Sequence, residues 1–77
     1  MMESQEGQPL TLAKLRRRVK LTQMKLAVAL DVSITTISEW ENGKSEPRLK
    51  YVRRLIEVFG CSFEELCEAF DQAKGRG

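Results

Sequence analysis

Apolar residues recur at intervals of three and four along most of the chain, which is the spacing of one face of an α-helix. The pattern predicts five short helices, and the positions that carry it are Leu12, Leu15 and Val19; Leu26, Ala27 and Leu30; Ile37 and Trp40; Leu49, Val52, Leu55, Ile56 and Phe59; and Phe63, Leu66, Cys67 and Phe70. No stretch alternates apolar and polar residues as a strand would. The sequence therefore predicts an all-α fold, a compact five-helix bundle.

Residues that cap helices mark where these elements begin. The first helix is predicted over residues 10–19. Thr22 and Ser33 offer hydroxyls suited to the N-caps of the second and third helices. Ser62, followed three residues later by Glu65, is a capping box that starts the fifth helix.

Two glycines and one aspartate mark the predicted helix ends. Gly43 and Gly60 each follow an apolar helical stretch and supply the left-handed residue that ends helices. Asp31 lies in the short stretch between the second and third helices and can adopt or cap a tight turn. Two short helices therefore meet across a tight turn, and the second of them runs over residues 33–42.

The length of 77 residues allows one core and one domain. We expect that domain over residues 10–72, with a flexible N-terminal arm over residues 1–9 and a flexible tail over residues 73–77. No apolar run approaches the roughly 20 residues that cross a bilayer, and the first residues resemble no targeting signal. A cytoplasmic location follows by default.

The composition offers little for catalysis or metal binding. The chain has no histidine and two cysteines, Cys61 and Cys67, which are six residues apart and are expected to be small core residues rather than a disulfide. A zinc site would need more ligands than these. No nucleophile stands beside a plausible base, so we expect neither an enzyme, a metal site nor a cofactor.

The net charge of +2 is unevenly distributed. Residues 1–30 hold six cations and two acids, and "KLRRRVK" places five of those cations close together. A basic stretch of this kind indicates either a polyanionic partner or a solvated helix face, and charge alone leaves both open.

The third predicted helix is amphipathic in an unusual way. At 100° per residue, Ile37 and Trp40 share the inner side. The opposite side carries Thr35, Ser38, Glu39 and Asn42, with Ile34 at its edge. A solvated helix would normally carry long charged pairs there. Short polar groups instead let a partner approach the backbone, which indicates a contact surface.

Two stretches of the chain carry a specific family resemblance. The stretch "LAKLRRRVKLTQMKLAVALDVSITTISEWENGKSEP", continued by "LIEVFGCSFEELCEAF", resembles the phage-repressor type of helix-turn-helix domain, the Cro and lambda-repressor-like or XRE-type family. The resemblance covers about residues 10–70 and rests on some seven short motifs in order. Lys20 and Asp31 stand where the family often has glycine.

The resemblance implies that the third helix enters the DNA major groove while the second lies across the backbone. The residues implied to face base edges are Ile34, Thr35, Ser38 and Glu39. Those implied to meet phosphates are Gln23, Thr36, Asn42 and Lys44. It also implies a structural ion pair between Arg16 and Glu41.

Two interpretations of Glu39 are open. Its carboxylate could accept a hydrogen bond from the exocyclic amine of cytosine. It could instead turn aside to a neighbouring lysine or arginine and only weaken non-specific binding. Since residues 34–39 contain no arginine, lysine, glutamine or asparagine, sequence preference could also rest on DNA shape.

The resulting prediction is a sequence-specific double-stranded DNA-binding transcriptional regulator, a repressor acting as a homodimer, with no small-molecule ligand. Dimer contacts are expected from the apolar face of the fifth helix, although Phe63 and Leu66 suit the core better. The alternative is a protein-interaction module of the same fold, such as an antitoxin or an adaptor.

Overall fold

The computed structural model describes residues 9–76, which form five α-helices and no strand. The helices are α1 (Leu12–Arg18), α2 (Gln23–Leu30), α3 (Ile34–Glu41), α4 (Leu49–Phe59) and α5 (Phe63–Arg76). The predicted all-α fold is confirmed. Of the arm predicted over residues 1–9, all but Pro9 lies outside the described residues.

The starts of α2, α3 and α5 are those that the sequence predicted, whereas α1 begins at Leu12, with Thr11 as its N-cap, rather than at residue 10. Thr22 Oγ1 accepts a hydrogen bond from the backbone N–H of Lys25 at 3.1 Å, and Ser33 Oγ accepts one from that of Thr36 at 3.1 Å. The capping box at the start of α5 is complete, because Ser62 and Glu65 each accept from the backbone N–H of the other. Each cap satisfies backbone donors that a helix leaves unpaired.

One apolar core joins all five helices. Its buried members are Leu12, Leu15, Leu26, Ala27, Leu30, Ile37, Trp40, Leu55, Phe59, Leu66 and Ala69. Trp40 of α3 also packs against Tyr51 of α4, with ring centroids 5.7 Å apart. The core therefore fixes the inner side of α3 and leaves its other side to solvent.

Lys20 and Asp31, the two residues that stand in place of family glycines, both adopt the left-handed backbone region. Their φ angles are 60° and 58°. Asp31 ends α2, and its backbone N–H bonds to Val28. These two residues keep both turns tight without glycine, at the cost that this region imposes on a residue with a Cβ atom.

The C-terminal end of the domain differs from the prediction. The tail was expected to begin at residue 73, but α5 continues to Arg76 and Ala73 is buried. The reason is that the last turn of α5 packs against residues far away in the chain: the backbone of Ala73 lies against Gly43, and Lys74 Nζ lies 2.6 Å from Glu46 Oε2.

The fifth helix buries its predicted apolar face unevenly. Leu66 is fully buried and belongs to the core, whereas Phe63 is 55% exposed, so the expectation that Phe63 suits the core was wrong.

Both cysteines are free thiols and partly buried. Burial raises the pKa of the Cys61 thiol, and the nearby Glu65 carboxylate raises it further. Within residues 9–76, no helix has the length and apolar character that crossing a membrane requires.

Candidate nucleic-acid interface

Helices α2 and α3 are joined by a three-residue turn that is held by the backbone. The N–H of Val32 donates to the carbonyl of Ala27 at 3.0 Å, and Asp31 takes the left-handed conformation that reverses the chain. Arg54 of α4 donates from Nη2 to the carbonyl of Ala29 at 3.0 Å, which places a cation at the C-terminal end of α2. The two helices therefore form a rigid pair.

The two sides of α3 have opposite environments. Ile37 is 0% exposed and Trp40 is 3% exposed. On the other side Thr35 and Glu39 are exposed, and Ser38 is partly exposed. Ile34, at the edge, is exposed as well. The side that the sequence predicted as a contact surface is thus open along the length of the helix.

A three-residue hydrogen-bond network fixes α3 against α1 and α2. Arg16 Nε donates to Glu41 Oε2 at 2.7 Å, and their side chains are 11% and 10% exposed. Gln23 Nε2 donates to the other carboxylate oxygen of Glu41 at 2.9 Å. Arg16 Nη1 also donates to the carbonyl of Leu21 at 2.9 Å. The ion pair implied by the resemblance is present, and it extends to the first residue of α2.

This network constrains what Gln23 can do. Because a carboxylate only accepts hydrogen bonds, the amide nitrogen of Gln23 must face Glu41. The remaining N–H and the amide oxygen are left for other partners. A phosphate contact by Gln23 therefore stays a prediction, now with a fixed side-chain orientation at the positive end of α2.

Two other residues predicted to meet phosphates have hydrogen bonds within the protein. The hydroxyls of Thr36 and Ser33 lie 2.9 Å apart. Asn42 Nδ2 donates to the backbone carbonyl of Ser38 at 2.9 Å and to its hydroxyl at 3.3 Å. These bonds order the two ends of α3. Phosphate contacts by Thr36 and Asn42 remain predictions.

Lys44 and Glu39 are both exposed, and they meet only through the backbone, where the N–H of Lys44 donates to the carbonyl of Glu39 at 2.9 Å. Among residues 9–76, no lysine or arginine forms an ion pair with the Glu39 carboxylate. Glu39 is thus exposed and without an ion pair in the described part of the chain, and both hypotheses for its role stay predictions.

A basic cleft beside the end of α3 was not singled out from the sequence. Lys14 and Arg17 of α1 line it together with Glu41 and Asn42, and Arg17 is exposed. The cluster of cations in the first helix was visible in the sequence. Only the packing of α1 against α3 shows that Lys14 and Arg17 are the members placed beside the candidate contact surface.

Comparison with known proteins agrees with this geometry. Residues 12–66 match a family model described as helix-turn-helix. The chain is 45% identical over 47 residues to the HTH-type transcriptional regulator DicA of Escherichia coli (strain K12), a match that covers 61% of this chain and 35% of DicA. It is 40% identical over 55 residues to the HTH-type transcriptional activator BcrR of Enterococcus faecalis, covering 71% of this chain and 27% of BcrR.

The chain thus matches about a third of the length of DicA and about a quarter of the length of BcrR. No solved structure gives a significant match. The matched family region contains both helices of the α2–α3 pair, the network that fixes them and most of the core. The chain belongs to the lambda-repressor-like, XRE-type family of helix-turn-helix proteins.

Proposed function

We propose that this protein is a sequence-specific double-stranded DNA-binding transcriptional regulator that acts in the cytoplasm, with α3 in the major groove. The observation that carries the proposal is the open side of α3, whose short side chains let the helix approach base edges. The family and the two relatives named as transcriptional regulators support it. In this arrangement Ile34, Thr35, Ser38 and Glu39 face the bases.

The charges around α3 suit a duplex that lies along it. Gln23 stands at the positive end of α2, and Lys44 follows the end of α3. Arg17 lies in the cleft on the α1 side, beside Asn42. Donors on several sides of α3 could therefore meet phosphates on both sides of the groove. Such contacts would fix the position of α3 along the duplex without reading any base.

We expect sequence-selective binding that weakens steeply with salt. Selection from random duplexes should yield a common site, and fluorescence anisotropy on that site should give an affinity that falls with added salt. The logarithmic slope should be about −0.9 for each phosphate neutralised. The Lys44→Ala substitution should reduce that slope by roughly 1 and weaken binding to all sequences alike.

A scrambled duplex measured under the same salt series is the internal control. The ratio of selected to scrambled affinity should survive Lys44→Ala, because phosphate contacts carry no sequence information. Recovery of no common site, together with binding that does not change with salt, would favour the protein-interaction module instead.

We further propose that the regulator is a homodimer that associates through the groove between α4 and α5. The groove is lined mainly by apolar side chains, with the exposed Phe63 and Leu49 among them and Glu46 and Asp71 on its rim. Leu49 also borders a second, basic groove that contains Arg53. A two-fold axis near Leu49 would place the groove that carries Glu46 and Asp71 in one copy against the groove that carries Arg53 in the other.

The Phe63→Glu substitution should make the protein monomeric, because it places a charge in the apolar part of this interface. Sedimentation equilibrium measures the change. Val28→Glu is the matched control: Val28 is 73% exposed on α2, outside the groove, so the same change there should leave the association unchanged. A wild-type chain that stays monomeric at high concentration, with and without DNA, would contradict the proposed dimer.

The direction of regulation is proposed as repression. One of the two relatives is named an activator, so the two directions need a direct comparison. A reporter placed behind the selected site should lose expression when this protein is supplied, and a gain would reverse the assignment.

A further inference from the structure

Hydrogen bonds within the protein sort the polar side chains of α3 and its two caps into two groups. Ser38 accepts from Asn42, and Ser33 is joined to Thr36. These hydroxyls and amides are ordered by the protein itself. Thr35 and Glu39 are different: in the part of the chain from residue 9 to residue 76, neither side chain has a hydrogen-bond or ion-pair partner.

The two unpartnered side chains are neighbours. Thr35 and Glu39 are four residues apart on α3 and are both exposed, so they stand one above the other on the same face. Trp40 and Ile37, buried behind them, hold the helix in place. The protein therefore presents a methyl-bearing hydroxyl and a carboxylate side by side on an ordered backbone.

Each of these two groups has a distinct preference among base edges. A carboxylate can only accept hydrogen bonds, and two bases present an amine in the major groove. On adenine that amine lies beside the N7 acceptor, which repels a carboxylate, whereas cytosine has no acceptor there. The methyl group of threonine suits the C5-methyl group of thymine.

The unpaired state of Glu39 also bears on its availability to a base. A carboxylate that already bound a cation of the protein would be less free to accept a hydrogen bond from a base amine. Among the described residues the ion pairs are Arg16 with Glu41, Arg18 with Glu65 and Lys74 with Glu46, and none includes Glu39. The carboxylate is left without a partner on the side that faces outward.

We propose that Glu39 and Thr35 are the specificity-determining residues of this protein, with Glu39 reading the amine of a cytosine and Thr35 the methyl group of a thymine on a neighbouring base pair. This inference rests on the DNA binding proposed above and names the sequences that the site selects. A half-site with adjacent thymine and cytosine is its direct consequence.

The test changes one small chemical group at a time, on the protein and on the DNA. Glu39→Gln replaces one carboxylate oxygen by an amide donor, and glutamine pairs with adenine through its N6 and N7 atoms. The variant should select adenine where the wild type selects cytosine, and its affinity for the cytosine site should fall on the order of tenfold. Glu68→Gln makes the same charge change on an exposed position of α5 and should leave the selected sequence unchanged.

The thymine contact is tested with deoxyuridine, which lacks only the methyl group. Replacing the neighbouring thymine by deoxyuridine should weaken wild-type binding about fourfold, the expected effect of one methyl group. Thr35→Ser keeps the hydroxyl and removes the side-chain methyl, so it should bind the two duplexes equally. Circular dichroism of each variant establishes that the helices remain folded.

The possible outcomes separate this inference from the function on which it rests. If Glu39→Gln binds every duplex more tightly and still selects the wild-type sequence, Glu39 only opposes non-specific binding and the inference is overturned, while DNA binding stands. Equal binding of thymine and deoxyuridine duplexes by the wild type removes the Thr35 contact. A wild type that selects no sequence at all overturns both the proposed function and the inference.

Discussion

The Gly43→Ala substitution should destabilise the protein by about 2–5 kcal/mol, far more than the same change at Gly60. Gly43 has a φ of 74°, and a Cβ atom there would meet the backbone of Ala73, with the carbonyl carbon only 2.7 Å away. The left-handed conformation alone costs a residue with a Cβ atom about 1–2 kcal/mol. The remainder comes from forcing the last turn of α5 away from the end of α3.

Gly60 is the matched control for this prediction. Its φ of 64° is similar, but a Cβ atom there would meet nothing within 4 Å. Gly60→Ala should therefore cost only the conformational part, about 1–2 kcal/mol. Urea unfolding followed by far-ultraviolet circular dichroism measures both variants. Equal losses would show that the end of α5 yields to Gly43→Ala without cost, and would contradict the packing described here.

Removal of the Glu41 carboxylate is the second large effect. Glu41→Ala leaves the side chain of Arg16, 11% exposed, without its ion-pair partner, and Gln23 without its acceptor. Breaking a buried pair by removing one partner costs about 3–5 kcal/mol. That is a large part of the free energy of unfolding, which for a domain of this size is typically on the order of 4–12 kcal/mol. Urea unfolding measures the loss.

The exposed pair of Arg18 and Glu65 supplies the comparison. Its atoms are 3.6 Å apart and its side chains are 53% and 41% exposed. Arg18→Ala should cost less than about 1 kcal/mol, as solvent screens such pairs. Replacing Arg16 and Glu41 together by methionine and leucine should recover part of the loss, since no lone charge is then buried. If Glu41→Ala costs no more than Arg18→Ala, the network does not fix α3.

Much of the fold was predictable because local rules apply to it. Periodicity gave the apolar faces, and the hydroxyls of Thr22, Ser33 and Ser62 gave the helix starts, since an N-cap acts within three residues of its own position. The open side of α3 followed from helical geometry alone. The resemblance supplied the pairing of Arg16 with Glu41, which no spacing rule could give.

The remaining features depend on contacts between residues far apart in the chain. The bond from Gln23 to Glu41 joins positions 18 residues apart, and its existence depends on the angle at which α2 meets α3. The extension of α5 past residue 72 depends on the space that Gly43 leaves for Ala73. The exposure of Phe63 was missed because periodicity identifies an apolar face and does not show which of its members another helix covers.

The position of Trp40 has a practical consequence for spectroscopy. It is the only tryptophan in the sequence, and it lies 3% exposed on the inner side of the helix whose outer side we place against DNA. Bases in the groove cannot stack on its indole, so duplex binding alone should not quench its emission by contact. A change in that emission would instead report a shift of α3 relative to Tyr51 and α4. The chain thus carries an intrinsic fluorophore that distinguishes docking as a rigid body from docking with rearrangement.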